Sequence, residues 1–348
     1  MNKSSNNDKS HPPAMLDFGN FDLVFGDLSP FPFTRQWAQQ VEKKRKEYDG
    51  VLFLDRVLAA LNIAKASKVY PPKTEKDLRQ LHHLVCDASN VAIHHKLSIL
   101  YYILLDVDSR LEEQSPGSTP STRADSFAAD AAVPQKYSIF IKGLWYMDAT
   151  NFDQALEHLT HPSLVPEFAD EIVTALARID NTASSSSSLQ ADESYSPVLA
   201  YYYAVQPVLR TSAATNILFD AISRSSVSEA LRYSRARPQF MREQLFKRLV
   251  LSVIDDSSSS KNGGNDSSDD VVAERAFELT SASLDAQEEE WFRDALLGSE
   301  GRKVRVAKDT LLMRRIARGD AGPVSEKGAW SSVLEGFKQG SGGRGMQA

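Results

Sequence analysis

Cysteine is nearly missing: Cys86 stands alone in 348 residues. No intrachain disulfide is possible, and a reducing compartment such as cytosol or nucleus fits best. Long apolar runs are missing too. The longest lies around Leu97 to Leu105, far short of the ~18–20 residues that span a bilayer. Residues 1–14 are polar and hold no apolar stretch, so no secretory leader is expected. An excess of positive charge is absent, because the formal net charge is -6; a global basic footprint for nucleic acid is therefore excluded. Strand signals are scarce, with no alternating β-branched run closed by a hairpin turn. Neither a Walker-type Gly-Lys-Ser/Thr nor a Gly-x-Ser-x-Gly elbow occurs, which removes two readable routes to phosphate or acyl chemistry. What remains, 42% hydrophobic and 25% charged residues, is an ordinary globular composition, long enough to bury a core.

Helix signals fill that chain. Thr34 opens a segment with Trp37, Val41 and Tyr48 on one face, and Asp49-Gly50 breaks it. A second helix is expected around Leu52 to Ile63, ended by Pro71 and Pro72. Thr74-Glu75-Lys76-Asp77 resembles a capping box with Asp in the place of Glu or Gln. Val91 to Val107 is apolar on most sides and predicts a central buried helix. Further helices are expected at Gln135–Met147, Asn151–Leu159, Glu167–Ile179, Pro197–Gln206 and Val208–Ser223. Ser226-Val227-Ser228-Glu229 is a capping box opening a helix to Arg235. Pro238 to Ile254, Val271 to Ser283, Ala286 to Leu297 and Val304 to Arg318 complete the set.

Three polar stretches interrupt it: 112–132, 181–194 with five consecutive serines, and 255–270; all three read as flexible loops. Residues 1–14 read as a disordered N-terminus and 321–348 as a mobile Gly-rich tail, in which Trp330, Leu334 and Phe337 have the spacing of one helix face. Short links between helices favour antiparallel packing. The expected fold is all-α, an irregular α-solenoid of antiparallel helix pairs in a single domain over 15–320, because no fixed repeat period is present.

Little of the sequence points to catalysis. His82, His83, Cys86, His94 and His95 form one constellation, and His82 and Cys86 share a helix face. Their spacing is no known zinc signature, so surface histidines beside a small core cysteine are the expected arrangement, with no metal and no cofactor. Glu288-Glu289-Glu290 sits at a helix start, where carboxylates suit the macrodipole. Charge is uneven. From Asp255 to Glu300 acidic residues outnumber basic ones 13 to 3, and from Arg302 to Arg318 basic outnumber acidic 7 to 1. Mutual neutralisation of these neighbours is one reading, and a docking surface for an acidic protein is the other. On the second reading Arg314, Arg315 and Arg318 group on one exposed helix side, and Tyr201, Tyr202 and Tyr203 supply interface aromatics, at least one of them in the core. Direct nucleic-acid binding is not expected, since aromatic platforms beside the basic residues are not evident.

Two segments share the pattern apolar-x-x-Ala-Leu: Phe152 to Leu159, containing Ala155 and Leu156, and Val227 to Tyr233, containing Glu229, Ala230 and Leu231. A small Ala beside Leu lets two helices approach closely. The first sits in a longer signature of Trp145, Asp148, Phe152, Ala155, Leu156, Leu159, His161 and Pro162, and Arg235 follows the second. Together these resemble the ELYS family of nuclear-pore assembly proteins. The resemblance implies a helical domain, not an enzyme, that binds the Y-shaped scaffold complex of the pore (the Y-complex) at the nuclear envelope and supports pore assembly and transport of protein and mRNA. It implies no small molecule and no membrane insertion. Long members carry a β-propeller and AT-hooks; with no Arg-Gly-Arg-Pro core, this chain looks like the short fungal-type form. A generic α-solenoid adaptor in a vesicle coat or a proteasome-assembly complex is the alternative.

Overall fold

The computed structural model describes residues 16–114, 122–183, 196–259, 266–299, 301, 304 and 307–318. Among them are 17 helices and no strand. Two compact units divide the chain, Met1–Ala214 and Thr215–Ala348. The first holds α1 (Phe21–Phe25), α2 (Arg35–Glu47), α3 (Phe53–Ala60), α4 (Ala64–Ser67), α5 (Glu75–Cys86) and α6 (Ile93–Gln114). It continues with α7 (Arg123–Asp130), α8 (Gln135–Ala149), α9 (Phe152–Leu159), α10 (Ala169–Ala183) and α11 (Pro197–Val205). The division falls within α12 (Ser212–Ser225), and the second unit continues with α13 (Val227–Arg235), α14 (Gln239–Ser259), α15 (Asp266–Ser281), α16 (Ala286–Leu297) and α17 (Ala307–Ala317).

Local chemistry starts and stops many of these helices. Thr34 Oγ1 accepts from the Trp37 amide at 3.1 Å to open α2, and Asp49 and Gly50, with φ of 57° and 84°, follow its end. Thr74 and Asp77 exchange both bonds of a capping box at the start of α5, as do Asp285 and Glu288 at α16. Other helix starts are completed from a distance. Asp148 on α8 accepts from the Phe53 and Leu54 amides of α3 at 2.8 and 3.0 Å. Asp108 on α6 takes the Ala124 amide of α7 at 2.9 Å, and Asp170 on α10 takes the Arg210 and Thr211 amides just before α12. At α13 the expected capping box is half local: Ser226 Oγ accepts from the Glu229 amide, while Glu278 of α15 accepts from Val227 and Ser228. Each satisfies amides that would otherwise have no intrahelical partner.

Two expected loops are shorter than their composition suggests. Within 112–132, α7 forms, because Ala124 and Phe127 bury and Asp108 receives its amide. Within 255–270, α14 runs on to Ser259 and α15 begins at Asp266. Extending a helix is far cheaper than nucleating one. Residues 1–14, the remaining loop residues of the 181–194 stretch, and Trp330, Leu334 and Phe337 lie outside the described residues.

In the first unit the core centres on α6, where Leu97 to Leu105 and Val107 are buried without a break. That is why its sequence lacks a polar face. Around it pack α5, α7 and α8, and α8 packs closely on α9. A Cβ at Gly143 would come within 2.7 Å of the Leu159 side chain, so the bare glycine sets how near these two helices lie. In the second unit Phe219, Phe246, Leu249, Trp291 and Phe292 form the core, with α14 packed against α13, α15 and α16.

Candidate functional site

The C-terminal end of α8 is tied to α2, α3 and α6 through buried and part-buried polar groups. Asp148, besides holding the α3 amides, accepts from the Tyr102 hydroxyl at 2.8 Å. Asp106 on α6 accepts from Trp145 Nε1 and from the Tyr70 hydroxyl, each at 2.8 Å. The carbonyls of Met147 and Ala149 take the Tyr48 hydroxyl and the Lys44 ammonium from α2, both at 2.8 Å. A cation at a helix C-terminus is favourable for the macrodipole. Burial pushes Asp148 up to about 7 and Asp106 up to about 6, against the pull of the donors each accepts from. Such perturbed carboxylates often mark catalytic sites. Here Asp148 accepts from two helix-start amides and a hydroxyl, and Asp106 from an indole and a hydroxyl, so every bond each carboxylate makes holds one part of the fold to another.

The signature residues thus fall into two groups. Trp145 and Asp148 are polar connectors: Trp145 is half-buried, and its indole reaches across to Asp106. Ala155, Leu156 and Leu159 are buried on α9, and Phe152 is half-buried. His161 and Pro162 are exposed just past α9, where His161 Nδ1 accepts from the Ser163 amide at 3.2 Å. Asp106 and Tyr70 belong to the same network and were not singled out from sequence, and Tyr102 was not read as part of it; a carboxylate within the buried run of α6 is the signal that marks them.

In the second unit, Ala230 and Leu231 are buried on α13, and Glu229 pairs with Arg232 at 3.3 Å. Arg235 pairs with Glu288 at 2.7 Å, and Arg242 reaches the same carboxylate at 2.6 Å. Burial alone would push Glu288 up, but the two arginines and the Asp285 amide bring it down to about 2.

The proposed basic face divides. Arg314, expected on the surface, is 5% exposed. Its guanidinium donates to the Thr280 carbonyl at 2.7 Å and the Ala282 carbonyl at 2.5 Å, and pairs with Glu289. Spacing along one helix could not show this, because those carbonyls belong to the end of α15 and the link that follows it. Arg318 is exposed and approaches Glu289 at 3.4 Å, while Arg315 is exposed. The tyrosines divide likewise: Tyr201 is buried, Tyr202 half-buried and Tyr203 exposed. Tyr201 and Arg314 therefore leave the list of candidate contact residues.

Of the histidines, His82 is buried against Phe21 and Phe25, with Nε2 2.9 Å from the Phe18 carbonyl and 3.5 Å from Cys86 Sγ. His83 faces Asp87. His94 and His95 lie instead against Tyr137. No group of three or more His, Cys, Asp or Glu among the described residues is placed to hold a metal, and no described helix is long and apolar enough to cross a membrane.

The ELYS family, described as nuclear pore complex assembly, matches residues 51–299. The uncharacterised protein ely5 of Schizosaccharomyces pombe is 27% identical over 148 residues, which cover 42% of this chain and 45% of that protein. The matched region is thus less than half of the relative's own length. No solved structure matches.

Proposed function

Because the chain belongs to the ELYS family of nuclear pore complex assembly proteins, we propose that it is a structural nucleoporin that binds the Y-complex through its helical surface. The observation that carries this reading is the family match over 51–299, which includes residues of both compact units. We therefore treat 15–320 as one ELYS-like domain built from two packing units. Its role is that of a scaffold at the nuclear envelope, supporting pore assembly and the transport of protein and mRNA. Several observations support a scaffold over an enzyme. The strongly perturbed carboxylates Asp106, Asp148 and Glu288 are committed to helix ends, hydroxyls and arginines. Stacked helices offer broad surfaces to protein partners, and Arg315, Arg318, Tyr202 and Tyr203 are the parts of the expected contact surface that remain accessible.

The test is a tag at the endogenous locus, read by microscopy and by affinity purification. A punctate nuclear rim with Y-complex nucleoporins in the purified fraction is the expected result. Diffuse signal with coat or proteasome-assembly proteins recovered in their place would favour the alternative adaptor role.

A further inference from the structure

A half-open groove in the first unit is framed by α3, α6, α8 and the link between α9 and α10, with a volume of about 240 Å³. Its walls are mostly apolar, contributed by Val57 of α3, Leu61 just past its end, Ile141 of α8 and Leu164 of the link. Phe140 and Phe168 lie parallel within it, ring centroids 6.4 Å apart. Phe168 has a φ of 54°, a left-handed conformation that bulky residues rarely adopt. Val165 at the edge is 78% exposed. The volume falls below the roughly 300–1,000 Å³ of small-molecule pockets and far exceeds the roughly 30 Å³ share of one water. It suits one or two large side chains.

Charge at the rim narrows the occupant. Three charged or titratable groups besides Tyr137 line the groove: His95, Lys136 and Glu167. Glu167 acts on His95, whose pKa burial pushes down, helped by His94. Lys136 is exposed, with its ammonium over the Tyr137 ring at 5.0 Å, and no carboxylate among the described residues pairs with it. We propose that this groove takes a large apolar side chain from an amphipathic segment of a partner protein, and that an acidic side chain about one helical turn away on that segment seats on Lys136. Helix-in-groove recognition places its anchors at such spacings. The proposal deepens the scaffold reading by stating what the partner presents, and rests on it only in taking the partner to be a protein.

The test places the photo-crosslinker benzoylphenylalanine at position 165 of the full chain in cells, and maps the cross-linked peptide by mass spectrometry. The expected peptide belongs to another protein and carries Asp or Glu three or four residues from a Leu, Phe, Met or Trp. A synthetic copy of it should bind the wild-type chain. Lys136→Glu should weaken binding about fivefold, the scale of an exposed ion pair, and a peptide with its acid changed to Lys should restore binding to that variant. Ala60→Trp, a change at an exposed groove position, should abolish binding without altering the melting temperature. Cross-linking to a second copy of this chain, to a segment without the acid, or to nothing would overturn the proposal, as would an unchanged affinity for Lys136→Glu. Rim localisation of the same tagged chain is scored separately, so a pore protein with an unused groove is distinguished from a chain that is not at the pore.

Discussion

Asp148 and Glu288 are both carboxylates removed from water, at 6% and 0% exposure, yet the two units hold them in opposite ways. Asp148 is surrounded by neutral donors: two backbone amides and a phenol. Burial wins there, and the group is pushed up to about 7. Glu288 meets Arg235 and Arg242, and is brought down to about 2 although burial pushes it the other way. The difference teaches that one residue class serves two designs. At Asp148 the joint is made by directional hydrogen bonds from neutral donors. At Glu288 it depends on charge, as it also does where Arg45 meets the buried Asp55 in the first unit. Arg314 against Glu289 follows the second design.

The contrast is open to direct attack. The largest effect is expected from Arg314→Glu, which sets a carboxylate against Glu289 and two carbonyls in a buried site; breaking such a site costs about 4 kcal/mol. Chemical denaturation should show it, together with lost hydrogen-exchange protection in α17. A variant as stable as the wild type would return Arg314 to the surface. Glu288→Gln comes next. It keeps the shape but removes the charge, and because Arg235 and Arg242 retain some contact with water, about 2 kcal/mol is expected.

Asp148→Asn should cost less, about 1.5 kcal/mol, since its single carbonyl oxygen can still receive one α3 amide while its NH2 group faces the other. A pH series sharpens the same point. The folded state holds its Asp148 proton up to about 7 and the unfolded chain releases it near the ordinary carboxylate value of 3.8. The folded form therefore binds more protons in between, and this contribution to stability falls as pH rises from about 4 to 7. For Glu288 the sign reverses: its contribution is present above the ordinary value of 4.5 and is lost as pH falls towards about 2. Exchange protection of α3 should follow the first slope and lose it in Asp148→Asn, and a slope that survives the substitution would remove Asp148 as its source. The smallest effect belongs to Arg315→Glu, an exposed change within about 0.5 kcal/mol of wild type. Differential scanning calorimetry checks it, and a shift of several degrees would reveal a partner for Arg315.

Local grammar carried much of the fold. Thr34, Thr74 with Asp77, and Ser226 announce helix starts because cap and amide lie within three residues of each other. The bounds Val227–Arg235 and Ala286–Leu297 were readable for the same reason. What stayed hidden depends on distant residues. Helix α7 sits in Ser- and Ala-rich sequence and forms because Phe127 finds a core and Asp108 an amide. The signature around Trp145 and Asp148 was visible as a pattern, but its task was not, since Asp106 and the α3 amides lie 39 to 95 positions away. Arg314 was misplaced because spacing on one helix says nothing about the carbonyls of its neighbour. Glu289, paired with Arg314, fits the mutual neutralisation of the two neighbouring charged segments, whereas the partners of Glu288, Arg235 and Arg242, lie outside both.

The cap that Asp148 places on α3 also has a meaning in time. Phe53 leaves the ribosome 95 residues ahead of the carboxylate that will receive its amide. At roughly 5–20 residues per second of synthesis, the nascent chain carries an uncapped α3 for roughly 5–20 s. During that interval Phe53, Leu54, Val57 and Leu58, all buried in the finished fold, have neither their cap nor α8 to pack against. Completion of the joint between α3 and α8 is thus gated by translation through residue 148, and a stall before that codon leaves those apolar side chains without the helix that covers them.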